Sequence, residues 1–146
     1  MSSTDTKHVM ISYNWGHQKE AIMIQKILKE KGFPVWLDIE NGIKEGDVNV
    51  AMADGVDGAA IIVCLASSKY ELSKNCRKEL SYADVKNVPI FPCLVEDGYR
   101  GNGWLGILIS PLLYYDFRGG RVGTGLVEAM QKKLGDDSKI FKPRVQ

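Results

Sequence analysis

The residues best placed to do chemistry are one carboxylate, Glu79, and a set of polar groups that leave successive apolar runs at a common edge. Ser12, Tyr13, Asn14 and Trp15 follow the first run, and Asp38 follows the second. Glu79 belongs to a polar segment, Ser67 to Tyr82, which follows Ala59-Ala60-Ile61-Ile62-Val63-Cys64-Leu65. That run is short, continuous and rich in β-branched residues, as expected of a strand buried on both faces of a parallel sheet. Its carboxyl end is the edge where open α/β sheets bind ligands. A carboxylate there accepts hydrogen bonds from hydroxyls and offsets positive charge. Taken alone, on a helix flank beside Arg77 and Lys78, it is more often a solvated surface residue.

These groups are positioned by alternating strands and helices. Val9 to Tyr13 reads as a first strand, and Gln18 to Lys31 as a helix whose buried stripe is Ala21, Ile24, Ile27, Leu28 and Lys31, stopped by Gly32. Phe33 to Asp38 reads as a second strand, followed by a glycine-containing loop, Ile39 to Asp47, and a short helix around Val48 to Val56. The third strand is Ala59 to Leu65. Ser73 is the expected N-cap of a helix running to about Lys86, with Cys76, Leu80 and Ala83 inward and Asn75, Glu79 and Tyr82 on its flank. Val88 to Val95 reads as a fourth strand, although Pro89 and Pro92 forbid part of a central ladder. A polar loop, Glu96 to Gly106, leads to a fifth strand at Leu112 to Phe117 and a closing helix through Leu126, Val127, Met130 and Leu134. The pattern predicts one α/β domain over residues 9–135, a doubly wound five-stranded parallel sheet with helices on both faces, between flexible ends at 1–8 and 136–146.

Composition narrows the function classes. The chain has 146 residues, 45% hydrophobic and 25% charged, with net charge +1. A domain of this size buries roughly two-thirds of its unfolded surface without staples. No apolar run approaches the roughly 20 residues of a membrane span, and no signal-peptide core begins the chain, so a cytoplasmic protein is expected. No basic face suggests nucleic acid. Cys64, Cys76 and Cys93 fit reduced, buried thiols, and neither His8 nor His17 has partners at metal-ligand spacing.

Motifs exclude two common doubly wound classes. Tyr13-Asn14-Trp15-Gly16 is no P-loop. A phosphorelay receiver needs acidic residues after the first strand and an aspartate ending the third, where this chain has Ser12-Tyr13-Asn14 and Ala66-Ser67. Gly101-Asn102-Gly103-Trp104-Leu105-Gly106 matches the G-x-G-x-x-G string but trails the fourth strand by a charged loop, and it reads as an irregular surface loop pinned by Trp104.

Four pieces in order carry a specific similarity: Met10-Ile11-Ser12-Tyr13, Trp36-Leu37-Asp38, the Gly42 to Gly46 loop, and Ser68-x-Tyr70-x-x-Ser73-x-x-Cys76-x-x-Glu79-Leu80. With them the chain resembles the Toll/interleukin-1 receptor (TIR) domain, on a flavodoxin-like sheet, from about Val9 to Leu134. The family holds adaptors that only associate with other TIR domains, and enzymes that cleave NAD between nicotinamide and ribose. The resemblance to the enzymes implies that Glu79 is the catalytic carboxylate and that NAD is the substrate, with no metal. It also implies self-association through the Ile39 to Asp47 loop. Ser12, Tyr13, Asn14, Trp15, Asp38, Lys44 and Asn75 are the candidate NAD contacts: Trp15 to stack on a ring, Lys44 to meet a phosphate. Many enzymatic members carry Trp where this chain has Asn75, and the animal type carries Arg where Asn14 and Trp15 stand, so NAD would be gripped differently here.

Overall fold

The apolar run of the sequence becomes the central strand β3, Ala59–Ala66, buried along its whole length. The computed structural model describes residues 7–37 and 48–135. β1 (His8–Ser12) lies parallel to β3 on one side, with Ile11 opposite Val63 and Ser12 opposite Cys64. β4 (Ile90–Leu94) lies on the other. β2 (Val35–Trp36) and β5 (Tyr115–Asp116) form the edges, giving the all-parallel order β2-β1-β3-β4-β5. This is the flavodoxin-like order, in which the winding reverses between β1 and β3.

Among the described residues six α-helices pack on the sheet: α1 (Gln18–Glu30), α2 (Val48–Asp57), α3 (Ser68–Leu72), α4 (Lys74–Val85), α5 (Gly103–Ile109) and α6 (Leu126–Gly135). Because successive strand residues point to opposite faces, β1 divides its side chains between two cores. Val9, Ile11 and Tyr13 meet Ala21, Ile24 and Leu28 of α1 and Leu126, Met130 and Leu134 of α6. Met10 shares the other face with Ile62, Cys64, Tyr70, Cys76 and Leu80, under α2 to α5. Each such large side chain contributes about 1.5–3 kcal/mol by leaving water. By this alternation Ser12 falls on the face of α3 and α4, and Tyr13 on the other.

Several expectations need correction. The edge strands are two residues each rather than six. For β5 the reason is Pro92: the Leu94 carbonyl accepts from Phe117, so residues of that parity face β5, and Pro92 offers no N–H there. Pairing starts only at Cys93 with Tyr115, leaving Leu112, Leu113 and Tyr114 exposed. Lys31, expected on the buried stripe of α1, caps its end and is exposed, while Gln25 is buried in that helix. The Ser67 to Tyr82 segment holds two helices, not one. Ser67 caps α3 by accepting from Tyr70 N at 3.0 Å, and Ser73 caps α4 by accepting from Cys76 N at 3.2 Å.

The Gly101 to Gly106 string also opens a helix rather than an irregular loop. Gly101 and Gly103 take positive φ, and Gly106 allows the Gly101 carbonyl within 3.0 Å of where a Cβ would stand. The start of α5 faces the chain's own carboxylate: Tyr99 donates to Glu71 Oε1 at 2.8 Å, and a Cβ on Gly103 would lie 3.2 Å from Glu71 Oε2. Trp104 pins the segment as expected, donating its Nε1 proton to the Glu71 carbonyl at 2.8 Å. Among the described residues no helix is long and apolar enough to cross a membrane, and no cluster of His, Cys, Asp and Glu is gathered as for a metal ion. The three cysteines are buried and none is in a disulfide.

Candidate functional site

Glu79 stands half-buried on the flank of α4, one residue before the fully buried Leu80. The cap at Ser73 fixes where α4 starts, and the inward stripe of Cys76, Leu80 and Ala83 fixes its rotation, so the flank that carries Glu79 turns toward the end of β1. There Ser12 Oγ donates to Glu79 Oε1 at 2.6 Å. The Tyr70 hydroxyl lies 2.7 Å from the same Ser12 Oγ. A serine hydroxyl has one proton, and an ionised carboxylate only accepts, so Tyr70 is the donor to Ser12. Burial foremost pushes the Tyr70 phenol well up, helped by Cys64, Cys76 and Glu79 and opposed by Ser12, which keeps it protonated and able to donate. Burial likewise pushes the Cys64 thiol up and makes it no nucleophile.

Beside Glu79 runs a cleft of 150 Å³ between α2 and α4, lined by Met52, Ala53, Val56, Lys78, Glu79 and Tyr82. Its wall is held to the sheet where a ring nitrogen of His8 meets the Gly55 carbonyl at 2.7 Å. Burial lowers the pKa of that histidine, as suits a neutral structural ring. At one end Tyr82 donates to Asp57 at 2.8 Å, with Lys86 lying 5.7 Å over its ring. The cleft therefore offers an apolar wall, a carboxylate and a lysine to one small group.

The sequence candidates are placed unequally. Ser12 touches Glu79, and Asn75 sits exposed one helical turn before it on α4. Asn14 turns back on its own loop, its Oδ1 accepting from Gly16 N at 2.8 Å to cap the short turn Trp15–His17. Trp15 is 68% exposed at that turn. Tyr13 is buried in the core on the opposite face from Ser12, as strand alternation requires. Asp38, Lys44 and the Ile39 to Asp47 loop lie outside the described residues.

Two functional-looking groups escaped the sequence reading. Tyr70, a part of the motif with no site role in the sequence reading, is the buried second donor of the Glu79 chain. Its signal was the polar Ser-x-x-Tyr spacing from Ser67, which places it under the strand end. Lys69 lies over the β1 to α1 turn, where a Cβ on Gly16 would meet its Cδ at 3.0 Å and its Nζ at 3.2 Å. Nearby, Ser68 donates both its N–H (2.9 Å) and its hydroxyl (2.8 Å) to Glu96 Oε1. Those two bonds hold the Glu96 carboxyl below its ordinary range, with His17 and Lys69 adding to the effect.

Comparison with known proteins places this geometry in context. The family model described as TIR domain matches residues 9–133. The search of curated proteins gave no match. Among solved structures, the TIR domain of the Toll-related receptor TRR-2 from Hydra magnipapillata superposes with a TM-score of 0.62 at 12% identity, covering 86% of this chain and 89% of that one. The Clostridium botulinum CMP N-glycosidase BcmB gives 0.55 at 13% identity, covering 86% and 98%. The TIR domains of the activated Roq1 resistosome, which directly recognises the pathogen effector XopQ, give 0.53 at 16%, covering 62% of this chain and 58% of that one. At these identities the likeness to the solved structures is one of fold.

Proposed function

The chain belongs to the TIR domain family, and from that premise we propose that it hydrolyses NAD at the bond between nicotinamide and ribose, with Glu79 as the catalytic carboxylate. The observation that carries this reading is the Ser12 to Glu79 hydrogen bond of 2.6 Å, which presents a carboxylate beside an apolar cleft at the switch point of the sheet. Breaking that bond releases a cationic pyridinium as neutral nicotinamide, so no general acid is needed. The transition state resembles the oxocarbenium ion of glycoside hydrolysis. Glu79 offsets its positive charge and accepts hydrogen bonds from ribose hydroxyls; water then adds to the ribose carbon and gives up a proton, leaving ADP-ribose, or a ribose-bound group of the same molecule closes a ring.

The cleft of 150 Å³ is smaller than the ~300–1,000 Å³ of pockets that enclose a whole ligand, so it takes one ring. The rest of the dinucleotide lies along the open edge, past Asn75, Trp15 and Lys69, with Asp38 and Lys44 as further contacts. BcmB, a CMP N-glycosidase of the same fold, supports the view that this sheet can host cleavage of a nucleotide's base-sugar bond. Self-association through the Ile39 to Asp47 loop, in the cytoplasm and as an immune or cell-death signal, completes the proposal.

A second reading, a non-catalytic module that recruits other TIR domains, is favoured by the exposed apolar side chains Ile107, Leu112, Leu113 and Tyr114. Nicotinamide release from NAD, by the purified chain and by Glu79→Ala at low and high protein concentration, separates the two. Release that rises faster than concentration and vanishes in the variant supports the enzyme. No release from chains shown to assemble leaves the recruiting module.

A further inference from the structure

We propose that Ser12, itself held by Tyr70, is a positioning residue that sets the rotamer of the Glu79 side chain and thereby aims its carboxylate at the cleft; its catalytic consequence rests on the NAD-cleaving reading above. Ser12 is 1% exposed and Tyr70 is fully buried, so neither hydroxyl meets a ligand directly. Ser12 gives its only proton to Glu79 and takes one from Tyr70, at 2.6 and 2.7 Å. Both of its hydrogen-bonding directions are thus spent on holding the carboxylate.

The two anchors are rigid for separate reasons. Ser12 ends β1, which is paired on both sides, by β2 and β3. Tyr70 is fixed by the Ser67 cap at its own N–H and by the Trp104 ring, whose centroid is 6.2 Å away. Trp104 is in turn tied to the Glu71 carbonyl and covered by Arg77, 5.5 Å above its ring. Glu79, by contrast, is half-buried on a helix flank, and a glutamate there has three side-chain torsions to fix. The Ser12 hydroxyl links this flank side chain to the sheet. A chain of two buried hydroxyls ending on one carboxylate oxygen is more than packing of the strand end requires, since Ala and Phe would fill the same volume with no polar atom to satisfy.

The test measures the Glu79 rotamer first and turnover second. Side-chain three-bond NMR couplings in the wild-type chain should report one Glu79 rotamer. Ser12→Ala should average it, and Tyr70→Phe, which keeps the ring volume, should loosen it partly. In nicotinamide release Ser12→Ala should lower kcat by about tenfold, the size of one hydrogen bond to a charged group, with KM within about twofold. Ser12→Thr, which keeps the hydroxyl, should restore most of the rate. A Glu79 side chain that stays in one rotamer in both Ser12→Ala and Tyr70→Phe overturns the proposal whether or not the chain cleaves NAD. A raised KM with kcat unchanged also overturns it, because Ser12 would then be a ligand contact. A wild-type chain that releases no nicotinamide, but whose Glu79 is freed by Ser12→Ala, refutes the enzyme and supports the clamp.

Discussion

Two serine–glutamate pairs stand at the carboxyl edge of this sheet, and they do different things. Ser68 donates its hydroxyl and its backbone N–H to Glu96 Oε1, which ties the β3 to α3 turn to the loop after β4. Ser12 donates to Glu79 Oε1 with Tyr70 behind it, and beside this carboxylate the wall is Met52, Ala53 and Val56. The residue types and bond lengths are nearly the same. What differs is the surroundings: Glu96 closes a loop over charged and polar neighbours, whereas Glu79 faces an apolar cleft with room for a ring. A carboxylate stabilises developing charge best in apolar surroundings, and this is why the proposed function assigns the chemistry to the second pair.

The comparison is most sharply broken by removing the charge at Glu79. Glu79→Gln keeps the shape and should reduce nicotinamide release about 100-fold, the scale of a lost electrostatic stabiliser, while the unfolding midpoint changes little. Filling the cleft tests its role next. Ala53→Phe should lower kcat/KM about tenfold, as steady-state rates with NAD will show, and leave the Ser68–Glu96 pair untouched.

Ser67→Ala, at the cap that sets both Tyr70 and Ser68, should cost about 1 kcal/mol in urea unfolding, since it removes the acceptor of Tyr70 N. The smallest effect belongs to Glu96. Its carboxyl is held below the ordinary range in the folded chain, so its contribution is present above the unfolded glutamate pKa and is lost as pH falls through the folded value. Glu96→Gln should therefore flatten the loss of stability on acidification, measured as the urea midpoint between pH 6 and pH 3, and leave nicotinamide release at neutral pH within about twofold.

Much of this architecture is legible in the residues. The run Ala59 to Leu65 announces a doubly buried strand because nothing polar interrupts it, and Cys76, Leu80 and Ala83 announce the inward face of α4 by their spacing. Ser73 is readable as a cap because a short polar side chain there has an orphan N–H to serve. The edge strands were not readable, since their length depends on which partner groups are available: Pro92 removes a donor that only the pairing with β5 reveals. The candidate site divides in the same way. Ser12 is visible as a polar group at a strand end, and Glu79 as one on a helix flank. That Ser12 touches Glu79 while Tyr13 turns away follows from strand alternation only once the register of β1 is known. Tyr70 escaped because its hydroxyl acts across the core, 58 positions from its partner.

The measurement that tests the central claim most directly is nicotinamide release from NAD by the wild-type chain, Glu79→Gln and Glu96→Gln, side by side, at a concentration where all three assemble. The account predicts release from the wild type and Glu96→Gln at similar rates and its loss in Glu79→Gln. Equal rates in all three, or release lost only in Glu96→Gln, would contradict it.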